Sequence, residues 1–374
     1  MIDAPTGARR AVGVLIAGAA LILIALTFDA APLFVSGIAF VLIGSGAWVW
    51  VLLVSSGARI DRRLFADRVI EDDPLEATIE VHGGVFGVAG AEILEPLAAA
   101  PVVLRGGGRS ATIRVIARFE GRGLRIVPPP TLVIRDPLML ARRHARCVAG
   151  SQQVLVLPRI ERVRWSRGSG GERLSAPGAP SRAQVTVAVE VDGLRPYQPG
   201  TPASRIHWPA LARGAGLLER RLRGDDDFRP LVILDVRGDL PTEQVDCAVR
   251  AAASLTVELA RAGGCLLLAP GERRAVAIER DLASWPAAHA RLALVEGGPG
   301  SPAPTLIATR GRLGPALYVS AAPIERPPGA LGVGAVVLVV PAGSLPRGMR
   351  ASFEVSGCQG FVVGARSRTR ERAA

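Results

Sequence analysis

Chemistry in this chain of 374 residues would fall to arginine and the two acids, because the sequence has no lysine and all 45 of its Lys+Arg positions are Arg. Without lysine there is no Gly-Lys-Ser/Thr phosphate loop, and no G-x-S-x-G nucleophile turn is present either. The histidines, His82, His144, His207 and His289, never fall at the H-E-x-x-H or similar spacing of a metal site. Cys147, Cys247, Cys265 and Cys358 form no C-x-x-C pair, and zinc sites draw on close pairs. The cysteines read as small apolar core residues in a reducing compartment. Cys265 opens an apolar run, a poor place for a nucleophilic thiolate. His207 is expected to hydrogen-bond locally. No cofactor is expected, and the chain reads as a non-enzyme.

Two stretches remain. The densest run of polar and aromatic residues is Gly193–Arg223, with Arg195, Tyr197, Gly200, Arg205, Ile206, His207, Trp208, Ala212, Arg213, Arg220 and Arg221. Its arginines suit a docking patch for an acidic partner. The internal alternative pairs Arg213 and Arg220 with Asp225, Asp226 or Asp227 and packs Tyr197 and Trp208 between modules. That alternative is favoured, since turn-rich joints must satisfy their polar groups. Just downstream, the apolar run Pro230–Leu234 ends in Asp235, followed by Val236-Arg237-Gly238-Asp239. The run reads as a buried strand that presents an acid at its end.

These residues carry a resemblance. Arg195, Tyr197, Gly200, Ile206, Trp208, Ala212 and Arg213 match the spacing R-x-Y-x-x-G-D-x-x-x-x-I-x-W-x-x-x-A-R. With the strand that follows, the stretch resembles the "domain of unknown function 58" family of bacterial membrane-linked proteins. Thr201 departs from the family's Asp, and Pro209 from its frequent Lys. Arg122-Gly123 and Arg135-Asp136-Pro137-Leu138 are similar to the family's RG…DPFGL segment, with Met139 in place of Gly. The resemblance implies that Asp235 opens a von Willebrand factor A-like domain. Such domains often hold a divalent cation through D-x-S-x-S, whose oxygens suit Mg²⁺ or Ca²⁺. Here those positions read Asp235-Val-Arg237-Gly-Asp239, so both hydroxyls are lost. A guanidinium there repels a cation and neutralises Asp235. Asp239 is the one substitute ligand in reach, and the expectation is a degenerate site without metal. The resemblance further implies a MoxR-type AAA+ ATPase as partner, in assembly or envelope-related work.

The elements that position these residues follow from patterning. Ala11–Phe28 and Leu33–Val54 are uncharged apolar runs broken at Asp29-Ala-Ala-Pro32, each long enough to cross most of a hydrocarbon core of about 30 Å. They read as a transmembrane hairpin over residues 1–58. Arg9 and Arg10 on one side, and Arg59, Arg62 and Arg63 on the other, place both ends in the cytoplasm. A signal peptide cleaved near Ala30–Ala31 is the rival reading, weakened by the second span. Residues 59–157 alternate in short β-prone runs (Glu76–Val81, Val102–Leu104, Ala111–Ala117, Leu124–Val127, Ser151–Leu157), as in a sandwich-like module. Residues 158–229 hold a Gly/Ser/Pro/Arg-rich linker at Arg167–Ser181, a strand at Val185–Val191 and the signature stretch. From 230 to 374 strands alternate with helices, which predicts an α/β domain with a mainly parallel sheet. The strands are Leu231–Leu234, Cys265–Ala269, Ala275–Ile278, Thr305–Ala308, Ala316–Ser320 and Ala335–Val340. A helix over Thr242–Ala262 buries Val245, Ala248, Val249, Ala252, Leu255 and Leu259, and a short one lies within Asp281–Leu294.

The net charge of +12 fits an anionic bilayer face better than nucleic acid, since only 4% of residues are aromatic and no nucleic-acid module is recognisable. Exclusive use of Arg is read as codon bias and says nothing about a partner. The expected function is a membrane-anchored, cytoplasm-facing interaction or scaffold protein. The alternatives are a hydrolase-type enzyme with an unrecognised site, or a binder of anionic lipid or nucleic acid.

Overall fold

A computed structural model describes residues 8–88, 90–104, 106, 108–147, 150–166, 191–197, 206–214, 216–222, 229–304, 313–324, 336–344 and 350–363. The chain forms two compact units, Met1–Val156 and Leu157–Ala374.

The first unit opens with two helices, α1 (Ala8–Phe28) and α2 (Ala31–Ser55). Both are long and apolar enough to cross a membrane. Between them Asp29 takes a left-handed backbone, φ 51°, and the chain turns at once. Small residues let the helices meet backbone to backbone. A Cβ built on Gly18 would stand 2.9 Å from Gly37 O and from the Val41 backbone nitrogen. This is the close approach that associates helices where no water is present to drive them together.

Ten strands follow in this unit: β1 (Arg59–Leu64), β2 (Arg68–Ile70), β3 (Leu75–His82), β4 (Glu92–Leu94), β5 (Val102–Val103), β6 (Ser110–Ala117), β7 (Gly123–Val127), β8 (Thr131–Arg135), β9 (Arg142–Cys147) and β10 (Gln152–Leu157). They make a seven-stranded sheet in the order β5-β4-β8-β9-β1-β3-β6 and a three-stranded sheet in the order β2-β10-β7. Leu75 of the larger sheet packs with Val127, Val154 and Val156 of the smaller, so the sheets share an apolar cluster. Leu75–His82 alternates with every second residue buried, the pattern of a strand with one face toward the core.

Arg62 crosses from β1 into that shared interior and is fully buried. Its guanidinium donates to Glu95 Oε1 at 2.9 Å, Gln152 Oε1 at 2.8 Å, Pro128 O at 2.8 Å and Val127 O at 3.0 Å. One cation thus ties β1, β7, β10 and the Glu95 segment. Removing one partner of such a pair strands a buried charge and costs about 3–5 kcal/mol, whereas replacing both with apolar groups is often close to neutral. We expect Arg62→Met to lower the thermal unfolding midpoint of the full chain sharply. The double variant Arg62→Met/Glu95→Met should recover most of the loss. Equal melting of single and double variants would contradict this account.

The second unit contains β11 (Arg164–Trp165), β12 (Val191–Pro196), the short helix α3 (Trp208–Ala212), β13 (Leu218–Leu222), β14 (Arg229–Asp235), α4 (Thr242–Gly263), β15 (Cys265–Leu268), β16 (Val276–Ile278), α5 (Trp285–Ala293), β17 (Leu313–Ser320), β18 (Val336–Pro341), β19 (Phe353–Val355) and β20 (Cys358–Val363). Eight strands form one sheet in the order β11-β19-β20-β18-β17-β14-β15-β16. Only its centre is parallel: β14 with β15, β14 with β17, and β17 with β18. Both flanks are antiparallel, so the sheet is mixed, not mainly parallel as the strand–helix alternation suggests. The reason is loop length. The turn at Ser356-Gly357, with φ 47° and 72°, joins β19 to β20 too tightly for any parallel crossover. The strand expected at Thr305–Ala308 and most of that at Val185–Val191 lie outside the described residues.

Helix α4 covers one sheet face. Val245, Ala248, Val249, Ala252, Leu255 and Leu259 are buried, as their 3.6-residue spacing requires. The helix is also buried on much of its far side, where residues 158–165 run over it. Ser254 Oγ accepts Glu161 N–H at 2.9 Å, and Trp165 packs on Phe353 with ring centroids 4.9 Å apart. Gly360 is required here, since a Cβ would meet the Phe353 ring at 2.2 Å. His289 anchors the same segment through its Nε2 contact of 2.7 Å with Pro158 O.

Candidate functional site at the end of the central strand

From β14 the chain passes through α4 to β15 on one side, then returns to β17 on the other. The carboxyl ends of β14 and β17 therefore flank a topological switch point, the place where open α/β sheets bind ligands. Asp235 and Ser320 are register partners there.

Asp235 is the last residue of β14 and is buried, with Tyr318 of β17 beside it. Both carboxylate oxygens are engaged twice. Oδ1 accepts the Arg237 backbone N–H at 3.1 Å and Arg237 Nε–H at 2.9 Å. Oδ2 accepts Arg237 Nη2–H at 2.7 Å and a short hydrogen bond from the Tyr318 hydroxyl. A carboxylate offers about four acceptor directions, and all are used. Burial by itself raises the Asp235 pKa, but the donors from Arg237 and Tyr318 outweigh it and hold the carboxyl below its usual range. Burial, and then the hydrogen bond to Asp235, push the Tyr318 hydroxyl well up. Arg237 is held more firmly charged, above all by its hydrogen bond to Asp235. Its own loop is tied down: Gly298 N–H donates to Val236 O at 3.3 Å, and Gly238 N–H donates to Gly298 O at 3.4 Å.

Arg237 thus reaches back onto the acid two residues before it, as its charge suggests. Tyr318 is the partner that sequence reasoning misses. The available signal was its place two residues before Ser320 on one face of a strand, in a chain with only 2 tyrosines. Asp239 is exposed in the following turn. Among the described residues no group of three or more His, Cys, Asp or Glu is placed to hold a metal ion. The buried thiols are no better placed for chemistry, because desolvation pushes Cys265 and Cys358 up to about 12.

The signature stretch folds on itself. β12 pairs antiparallel with β13, placing Arg195 opposite Glu219 and Leu194 opposite Arg220 in register. Tyr197 N–H donates to Leu217 O at 3.0 Å, and His207 N–H to Leu218 O at 2.8 Å. His207 then caps α3, its Nδ1 accepting Ala210 N–H at 3.1 Å. The β12–α3–β13 element gathers Arg195, Tyr197, Ile206, Trp208, Arg213 and Arg220, while Gly200, Arg205 and Asp225–Asp227 lie outside the described residues. Trp208 corrects an expectation: it is 55% exposed, not a buried packing residue. It stands at the first position of a one-turn helix in which Ala210 is the buried residue, with Ile206 buried just before the cap. Arg213 is exposed as well.

No family model matches the chain, and no curated protein matches it.

Two outcomes follow for Asp235. Calorimetric titration of the full chain with Mg²⁺ should give no saturable binding at millimolar concentration, since Arg237 and Tyr318 hold every acceptor direction. Arg237→Ser with Asp239→Ser would free one acceptor direction on each carboxylate oxygen and supply two hydroxyls, and is the variant expected to gain binding. Saturable wild-type binding abolished by Asp235→Ala would refute the closed-site account. The second outcome concerns pH. A carboxyl with a depressed folded pKa contributes stability that is present above its unfolded pKa of about 4 and is lost as pH falls through the lower folded value. The stability gap between wild type and Asp235→Asn should therefore be largest near neutral pH and shrink below about pH 4, read from unfolding midpoints across pH. A gap that widens on acidification would show the opposite sign.

Proposed function

We propose that this protein is a membrane-anchored interaction or scaffold protein whose β-rich and α/β modules face the cytoplasm, without catalytic activity of its own. In this reading the C-terminal unit is a degenerate von Willebrand A-like domain of the "domain of unknown function 58" type, and its partner is a MoxR-type AAA+ ATPase. The observation that carries it is the saturated Asp235. At the switch point, where an α/β sheet would present a ligand-binding acid, the acid is closed by an internal Arg and Tyr. Contact with a partner then rests on arginine and apolar surface, such as Arg237, Trp208 and Arg213. The two apolar helices support the anchor, and the arginines flanking them support the orientation.

The test is affinity capture of the full chain from solubilised native membranes, read by mass spectrometry. The expected result is co-purification of an AAA+ ATPase, retained in the presence of a chelator and reduced by Trp208→Ala and Arg213→Ala. A C-terminal alkaline phosphatase fusion should be inactive. An active fusion would overturn the orientation. Capture that needs Mg²⁺ would overturn the metal-independent contact.

A further inference from the structure

The first unit carries two loop tips whose apolar residues face outward. Val85 and Phe86, at the turn between β3 and β4, are 76% and 51% exposed; Leu138 and Met139, between β8 and β9, are 61% and 63% exposed. Large apolar groups at the tips of turns need an explanation, and both turns lie beside the helix pair.

The register places them. β1 leads away from α2, and β9 runs parallel to it with Arg146 level with Arg59. Arg142 therefore lies four residues nearer the helices, about 13 Å at about 3.3 Å per residue, and the 136–141 loop is at that end. The contacts agree: Ala141 packs with Ala11, Ala47 and Val51, and Ala11 N–H donates to Leu140 O at 3.2 Å. The other turn behaves likewise. Gly84 lies against the end of α2, where a Cβ would stand 2.2 Å from Ser56 O. Two residues on, Phe86 has reached Trp50, with ring centroids 6.5 Å apart. Trp50 precedes Ser56 by six residues, about 9 Å along a helix axis. Both tips thus descend beside α2 past its C-terminal end, to the level of Trp48 and Trp50, whose residue type favours the membrane–water interface.

The 136–141 loop also satisfies much of its own backbone. Asp136 Oδ2 accepts Leu138 N–H at 2.9 Å, its Oδ1 accepts Ala141 N–H at 2.5 Å, and its carbonyl accepts Met139 N–H at 3.0 Å. Three backbone donors of the loop are thus satisfied internally, which lowers the cost of bringing irregular backbone into apolar surroundings. Met139 holds this turn at φ 56°, a region costly for a long side chain. A glycine would relieve that strain but would present no apolar group.

We propose that the Val85-Phe86 and Leu138-Met139 tips insert into the interfacial zone of the lipid bilayer beside the helix pair. The β-rich module is then seated on the membrane at a fixed height by three elements instead of being tethered by one. The occupant is phospholipid, because Phe86 meets Trp50 and Ala141 packs on Ala11, Ala47 and Val51, so each tip adjoins the apolar surface of the helices. Exposed Arg9, Arg10 and Arg143 near the same level suit anionic headgroups. This inference rests on the membrane reading of the two helices.

The test is photocrosslinking with p-benzoylphenylalanine placed singly at Val85, Phe86 or Met139. The full chain is reconstituted in vesicles of phosphatidylcholine and phosphatidylglycerol, and adducts are identified by mass spectrometry. Phe40, in the middle of α2, is the positive reference. Phe65, at the far end of β1 and about 20 Å from α2, is the negative one. Lipid adducts at the tips comparable with Phe40 and well above Phe65 are expected. Lipid adducts at Phe40 with none at the tips, or adducts there only to protein, would overturn the insertion while leaving the transmembrane pair intact. Absence of lipid adducts at Phe40 itself would overturn both. Three independent tip positions guard against loss of folding at any one.

Discussion

A charged carboxylate at the end of a buried strand must be neutralised, and in this protein that requirement organises the centre of the second unit. Asp235 lies where β14 leaves the core, on the sheet face away from α4, with its neighbour Leu234 pointing the other way into the helix-covered core. Exposed to solvent, the acid would need no partner; in this position it recruits four hydrogen bonds. Satisfying it draws the 236–239 loop back across the strand end and fixes Tyr318 in β17 against β14. The geometry that could have served a ligand is spent on the fold itself. Any exchange of that internal pairing for an external ligand must first compete with a guanidinium tethered two residues away, whose effective concentration no dissolved cation approaches.

The first unit meets the same constraint with a different solution. Arg62 sits between two sheets that share an apolar cluster, and its charge is answered by one acid, an amide and two backbone carbonyls. A buried ion pair contributes little net stability relative to a well-packed apolar alternative, but it penalises every arrangement in which its partners are out of place. In a module of short strands, where slippage by one residue would reverse the faces, such a fork favours one placement of β1 over β7 and β10 of the other sheet.

The helices and the long strands are legible in the sequence because a single physical signal dominates each: uninterrupted apolar length for α1 and α2, a 3.6-residue stripe for α4, strict alternation for Leu75–His82. Asp235 at the end of a strand and its neutralisation by Arg237 are legible for the same reason, since charge and separation decide the pairing. What could not be read depends on contacts made at long range. Tyr318 reaches Asp235 across 83 positions. Arg62 looks like one more arginine flanking a membrane segment, and nothing local marks it for burial. β8 and β9 carry arginines at their ends and lack clean alternation, so they do not announce themselves. The antiparallel flanks of the large sheet are set by turns at Ser356-Gly357 and before β16, which strand–helix alternation does not encode. Trp208 failed as a core residue because size alone does not decide burial; its position on one turn of helix does.

The contact between α1 and α2 has a thermodynamic corollary. Gly18, Gly37 and Gly44 meet backbone or a single branched side chain, and Ala11 and Ala47 complete the seam. None of these five has a rotamer to lose, so only their partners Leu15, Ile22 and Val41 are ordered at these contacts, whereas long side chains on both sides of the seam would each surrender roughly 0.5–2 kcal/mol of entropy. The association therefore carries a smaller conformational penalty than a seam of long side chains would, and gains dispersion energy from backbone proximity. It follows that the pair responds steeply to added volume at Gly18 and Gly37, a tight joint between two otherwise featureless apolar rods.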